Sequence, residues 1–379
     1  MKTEASETRY REGILRVLAL TPHEKGISPG QRYRIEQWEP ALEKLGVSIN
    51  YSTFSHPELS QVLYQPGNLG RKAGGILGAY LKQLRSVARA SRFDLVYVFR
   101  EAALIGPAFL ESIACLSGVP MVFDFDDAIF LRYKSPSNGY LSYLKFSGKT
   151  RRLCRNAREV MAGNDYLACW ASRHNTRVNV VPTTIDTDSY RPELRRPNGA
   201  LPTVGWTGSH STRAHLELAV PALERLAAKR RFRFVAIGAE APRIAGAVVE
   251  SRPWRAATEV SDLADIDVGI MPLPDDPWCR GKCGFKALQY MGLGIPAVVS
   301  PVGANARIVA HGRNGFWAGT ENDWVSVLFG LLEDRDLRAR VGGEGRRTVE
   351  TLYSTRVVAP YVNEIFRRAA QDRVPRNPG

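Results

Sequence analysis

Long apolar runs are missing from this chain of 379 residues. None reaches the roughly 18–20 residues that a helical membrane span requires. Residues 1–12 are polar and mixed in charge, so they are not a signal peptide and read as a tail ahead of the first strand. Cysteine is sparse: Cys115, Cys154, Cys169, Cys279 and Cys283 are odd in number and scattered. Only the last two are close, and no second Cys or His pair completes a zinc set. They read as reduced thiols of a cytosolic protein. Histidines are few and isolated; His210 is the one that falls in a glycine-rich loop. What remains, 44% hydrophobic and 24% charged, excludes wholesale disorder. The length suits two domains.

A net charge of +14 and a pI near 9.7 point to acidic partners: a nucleotide diphosphate, an anionic lipid or nucleic acid. No nucleic-acid module accompanies the charge, and a DNA or RNA partner is not expected. Cations cluster at Arg71, Lys72, Lys82, Arg85, Arg89 and Arg92, and again at Lys145, Lys149, Arg151, Arg152, Arg155 and Arg158. The first set flanks Ile76, Leu77, Tyr80, Leu81, Leu84 and Val87, an amphipathic helical spacing. It reads either as a solvated helix face or as a peripheral contact with an anionic bilayer.

Apolar β-branched runs alternate with helical patterns, the mark of βαβ units and parallel sheets. Strands are expected at residues 14–20, 47–54, 95–99 and 119–125. One helix should run through Tyr33, Trp38, Leu42 and Leu45, and another over 103–116. After a short strand at 178–181 comes a Pro-, Asp- and Arg-rich stretch, 182–202, that reads as a hinge. The pattern then restarts, with strands at 203–206, 232–237, 268–271 and 297–300. Helices are expected at 214–229, 285–293, 321–333 and 337–351. Two Rossmann-like α/β/α halves are the economical solution, with ligands at the carboxyl ends of the strands.

Two motifs carry chemistry. Val204-Gly-Trp-Thr-Gly-Ser209 is a strand ending in a glycine turn ahead of a helix, which lets backbone N–H groups approach an anion. Its spacing is neither a dinucleotide fingerprint nor a phosphate loop. The second runs from Arg280 to Pro296. Gly284 opens a helix on which Lys286 and Gln289 share a face, with Lys282 just before its start. Dipole and formal charge then both favour an anion.

On these segments the chain resembles the retaining glycosyltransferases of the GT-B fold known as family 4 or "group 1". The resemblance covers nearly the whole chain. It is carried by Ser28-Pro-Gly-Gln-Arg-Tyr-Arg34, Arg100-Glu101, Asp124-Phe-Asp-Asp127 and Gly205-Trp-Thr-Gly-Ser209. The Lys282/Lys286 helix with its Tyr290-Met291, Gly303-Ala-Asn305, Gly312-Arg-Asn-Gly-Phe316 and Gly342-Gly343 complete it. It implies an acceptor-binding domain at 1–185, a nucleotide-sugar domain at 186–356, a cleft between them, and a C-terminal helix at 357–370 returning to the first. It also implies hexosyl transfer with retention from a nucleoside-diphosphate sugar. No metal or other cofactor is called for, and the acceptor is a saccharide, a lipid-linked molecule or a small natural product. The expected location is the cytoplasm, including the inner membrane surface.

By the same resemblance, Asp126, Lys286 and Arg280 are the catalytic candidates. Asp126 stands where many members have an acceptor-side histidine. Gly30, Arg32, Gly208, Ser209, His210, Lys282 and Gly284 would lie against the donor, Gln289 would hold the ribose hydroxyls, and Pro253 and Trp254 would meet the base. Arg34, Arg100, Glu101, Asp124 and Asp127 would face the acceptor. The chain departs from the family where paired glutamates eight apart become Gly281 and Gln289, and where a third glutamate becomes Arg307. Asp124-Phe-Asp-Asp127 could in principle chelate a divalent cation, but acceptor binding or local capping is the preferred reading. The substitutions leave two rivals, a nucleotide-sugar-binding subunit of a glycan-assembly complex and a GT-B sugar-nucleotide epimerase.

Overall fold

The computed structural model describes residues 13–56, 59, 69–131, 146, 148–195 and 201–371. The tail expected at 1–12 and part of the hinge, 196–200, lie outside the described residues. By its contacts the chain divides into two compact units, residues 1–182 with 358–379 and residues 183–357.

The first unit is built on a six-stranded parallel sheet in the order β2-β1-β3-β4-β5-β6. Its strands are β1 (Leu15–Thr21), β2 (Val47–Thr53), β3 (Leu95–Phe99), β4 (Met121–Phe125), β5 (Glu159–Ala162) and β6 (Val178–Val180). Strands β3 and β4 are buried along their whole length, as near-continuous apolar sequences covered on both faces should be. Helices α1 (Gln37–Lys44), α2 (Leu69–Ala88), α3 (Phe109–Leu116), α4 (Gly148–Asn156) and α5 (Asp165–Ala171) belong to this unit. In its core Val17, Trp38, Tyr97 and Val122 cluster with Val358, Val362, Ile365 and Phe366 of the last helix, Thr355–Gln371.

The second unit repeats the architecture in the order β12-β11-β10-β7-β8-β9, again all parallel. Its strands are β7 (Thr203–Thr207), β8 (Arg233–Ile237), β9 (Val248–Arg252), β10 (Val268–Met271), β11 (Ala297–Val299) and β12 (Phe316–Trp317). Its helices are α6 (Arg213–Glu217), α7 (Val220–Ala227), α8 (Glu259–Leu263), α9 (Pro277–Arg280), α10 (Phe285–Gly292), α11 (Ala304–Ile308), α12 (Glu321–Glu333) and α13 (Arg335–Thr348). Trp206, Leu223, Phe234, Ile270, Leu328 and Leu331 form the heart of its core.

Four helices differ from the sequence reading. The one expected through Tyr33, Trp38, Leu42 and Leu45 is broken: α1 begins at Gln37, and Tyr33 lies in a wider turn, Arg32–Glu36, with non-helical backbone at Arg34 (φ −123°, ψ −110°). The one expected at 103–116 starts only at Phe109, because Gly106 has φ 85° and Pro107 follows it. The one expected at 214–229 is two, α6 and α7. Pro221, near the start of α7, has no N–H to give, and in a continuous helix its ring would strike the carbonyl of residue 217. The one expected at 337–351 begins at Arg335, where Asp334 accepts from the Leu337 N–H at 2.8 Å. It gives way after Thr348 to a wider turn, Val349–Tyr353. Among the described residues no helix is long and apolar enough to cross a membrane.

Candidate functional site

In the second unit the carboxyl ends of β7, β8 and β9 meet through glycine. A Cβ on Gly238, after β8, would lie 2.3 Å from the Gly208 carbonyl and 3.2 Å from the Trp254 Cβ. A Cβ on Gly208, after β7, would lie 2.4 Å from the Trp206 ring and 2.6 Å from Thr212 Oγ1. Only glycine permits these approaches. The turn that follows is closed by the side chains themselves: the Ser209 N–H donates to Thr212 Oγ1 at 3.1 Å, and Ser209 and Ser211 hydroxyls meet at 2.8 Å. Ser209 and His210 are exposed on that turn.

Helix α10 approaches the same turn. Lys286 Nζ stands over the Trp206 ring, 5.6 Å from its centroid, so one indole carries Gly208 at its edge and Lys286 on its face. Lys282 Nζ stands over Trp278 at 5.3 Å. Gly284 begins α10 in the left-handed region (φ 69°), where a Cβ would also strike Ile308 at 2.2 Å. Beneath the helix, the Tyr290 hydroxyl accepts from the Thr207 N–H at 3.1 Å and donates to the Ile270 carbonyl at 3.3 Å. That pins α10 to β7 and β10. Two lysines, a glycine turn and strand ends therefore share one corner of the unit, an arrangement suited to a polyanion.

Two residues expected on this side are engaged within the unit. Arg280 is half-exposed and directs its guanidinium at Asp275, with contacts of 2.7 and 3.1 Å. Gln289 is buried, and its amide nitrogen donates to the Tyr190 hydroxyl at 2.9 Å and to Glu259 at 3.3 Å. Through these contacts it is a tether inside the fold. Glu259 also accepts from the Trp254 indole N–H at 3.0 Å. One buried carboxylate thus fixes both the β9 loop and α10. Neither Glu259 nor Tyr190 has a sequence signature. Trp254 is half-buried and Pro253 exposed.

The first unit gathers its own set at the ends of β1, β3 and β4. Arg100 Nε donates to Asp126 at 2.6 Å, and Asp127 lies 4.0 Å from the same guanidinium. Gly30, in the short helical turn Pro29–Gln31 that follows β1, is pressed onto this pair: a Cβ there would lie 2.7 Å from both Arg100 Nη2 and Asp126 Oδ2. Arg100 is the one non-glycine residue with positive φ (56°) among the described residues, a strained backbone of the kind that collects at working sites. Burial works against the Asp126 charge, but Arg100 outweighs it through charge and hydrogen bond and holds the carboxyl below its ordinary value. Glu101 pairs with Lys149 at 2.6 Å. Arg32 lies along the Tyr33 ring, 5.3 Å from its centroid. The turn bearing Gly30 is braced by buried Gln31, which donates to the His23 carbonyl at 2.9 Å and to Glu36 at 2.7 Å.

Arg34 and Asp124, expected to face an acceptor, do not. Both side chains are fully buried. Arg34 grips Asp124 with two hydrogen bonds of 2.7 and 2.6 Å and the Val181 carbonyl at 2.8 Å, and the Tyr97 hydroxyl closes on the same carboxylate. Burial opposes the Arg34 charge, yet Asp124 more than offsets it and keeps the guanidinium protonated. This is a structural knot tying the turn before α1 to β3, β4 and the end of β6. Of Asp124-Phe-Asp-Asp127, only the second and third acids stand at the site.

Comparison with known proteins bears on the second unit. Residues 201–334 match the family model described as glycosyl transferases group 1. No curated protein sequence matches the chain. Among solved structures, it is similar to HepE from Anabaena in complex with UDP and glucose (TM-score 0.65, 16% identity, 93% of this chain and 99% of that one). A glycosyltransferase from Rickettsia africae gives a TM-score of 0.67 at 12% identity, covering 95% and 100% of the two chains. Sucrose-phosphate synthase from Thermosynechococcus elongatus gives 0.67 at 13% identity, covering 93% and 98%. At such identities these likenesses establish the fold: the chain has the GT-B fold.

Proposed function

We propose, from the glycosyl transferases group 1 match and the GT-B fold, that this protein transfers a sugar from a nucleoside-diphosphate sugar to an acceptor. The observation that carries the reading is the convergence of Lys286 and the Gly208 turn on the two sides of Trp206. The diphosphate binds there, with Lys282 adding charge at the start of α10. When the anomeric bond breaks, the negative charge leaving with the diphosphate is met by groups already in place. Preorganised donors of this kind contribute about 3 kcal/mol each to lowering a barrier. Transfer proceeds with retention and without a metal ion, since lysine charge and backbone N–H groups serve the diphosphate.

On the acceptor side, Asp126 is the group that orients the attacking hydroxyl, with Arg100 fixing its position and its ionised state. Gly30 is kept free of a side chain so that the Arg100–Asp126 pair can close. With Gly281 and Gln289 at the family's acidic positions, and Gln289 turned into the fold, helix α10 presents no carboxylate to the transferred sugar. That observation favours a second reading, in which the protein binds nucleotide sugars but turns them over slowly. A thermal-shift screen with UDP, GDP, ADP and TDP, followed by an assay for diphosphate release from the matching sugar nucleotide, separates the two. UDP is the first candidate, because the Anabaena structure holds it. Stabilisation by one diphosphate with acceptor-dependent release supports the transferase, and stabilisation without release supports the binding subunit. No stabilisation by any of the four contradicts both.

A further inference from the structure

Helix α2 presents an outward face that the transferase reading leaves unused. Its inner face is buried at Ala79, Gln83 and Val87, and Gln83 is locked to the Ser52 hydroxyl at 2.6 Å and the Ala102 carbonyl at 3.0 Å. The rotation of α2 about its axis is thereby fixed. Leu77, Leu81 and Arg85 follow one another at four-residue intervals on the opposite side, Arg89 comes just past the helix end, and all four are exposed. Leu77 is 62% and Leu81 48% exposed, so these leucines are not core residues at the margin. Arg71 and Lys82 lie on the same side.

The neighbouring helices continue the face. Helix α3 packs on α2 and exposes Phe109 (56%) and Leu116 (85%), whereas its one acid, Glu111, is buried. Helix α4 packs on α3 and exposes Arg151, Arg152 and Arg155, with Arg158 exposed just beyond it. No acidic residue occurs in the sequence between Glu58 and Asp94, nor between Asp127 and Glu159. A merely soluble helix face would mix signs, and these stretches do not. We infer that the α2–α3–α4 face of the first unit seats on an anionic lipid bilayer, with the cations at the headgroups and Leu77, Leu81 and Phe109 entering the interface. A nucleic acid would meet the cations but would leave the apolar side chains in water.

The test is co-sedimentation of the full chain with vesicles of phosphatidylglycerol and phosphatidylcholine, against vesicles of phosphatidylcholine alone. The chain pellets with the anionic vesicles only, and less so as salt is raised. The triple variant Lys82→Ser, Arg85→Ser, Arg89→Ser weakens the partitioning about a hundredfold, at about fivefold for each cation near the surface. The pair Leu77→Ser, Leu81→Ser weakens it at unchanged charge. All five side chains are exposed, so both variants keep the parent's Tm and its response to nucleotide, which makes the result independent of the donor assignment. The inference is overturned if the chain does not pellet, pellets equally with neutral vesicles, or keeps its binding in either variant. Retention on duplex DNA without vesicle binding overturns it as well.

Discussion

The two units bear the same sheet and bring charge to the same strand ends, but they set that charge against different neighbours. In the first, cations meet carboxylates: Arg34 with Asp124, Arg100 with Asp126, Lys149 with Glu101. In the second, Lys286 and Lys282 lie over the indoles of Trp206 and Trp278. A buried or half-buried ion pair fixes the geometry of both partners, whereas a lysine over an indole face gains attraction from the ring quadrupole. The first arrangement suits the orientation of a neutral hydroxyl, and the second suits the capture of a polyanion.

The largest effect expected from breaking this contrast is at Arg34. Arg34→Met removes one partner of a buried pair and leaves Asp124 uncompensated, which should cost about 3–5 kcal/mol in chemical denaturation. A loss under about 1 kcal/mol would show that the knot is not structural. Gly30→Ala comes next. Its methyl group would fall onto the Arg100–Asp126 pair, so about 1–3 kcal/mol of stability should go together with a larger loss of transfer rate. Normal kcat in a destabilised Gly30→Ala protein would remove Asp126 from the reaction.

A smaller effect concerns acid. Because the folded state holds Asp126 below the ordinary carboxylate value of 3.8, its contribution to stability is complete above that value. It is lost as pH falls through the lower folded value, and an acid titration of Asp126→Asn should be flatter than the parent's in that window alone. The smallest effect sharpens the comparison from the other side. Arg280→Ala removes an exposed pair and should change neither Tm nor the response to nucleotide. Loss of nucleotide binding in that variant would restore Arg280 to the donor site.

Much of the fold could be read from the sequence, because buried parallel strands such as Leu95–Phe99 and Val268–Met271 are near-continuous apolar runs. Strand β9 was not visible: Val248–Arg252 is an edge strand with three of its five residues exposed, and it carries Glu250 and Arg252 where an apolar run would be sought. Strand β5 was hidden by its four-residue length and its opening glutamate. At the site, glycines and lysines stood out because their chemistry is unusual at those spacings. Charged residues were harder, since a pattern of types does not say whether an arginine faces in or out. Arg34 and Arg100 both belonged to the first unit's motifs, yet one is a buried brace and the other a site residue. Glu259, Tyr190 and Gln31 act only through partners distant in sequence, which no local pattern records.

The account turns on Lys286 and the Gly208 turn forming the diphosphate site. The direct measurement is thermal stabilisation by UDP of the parent, of Lys286→Ala and of Arg280→Ala. At a hundredfold excess over Kd, the parent and Arg280→Ala should gain about 2.7 kcal/mol, and Lys286→Ala should gain nothing while keeping its unliganded Tm. Stabilisation of Lys286→Ala equal to the parent's would contradict the account.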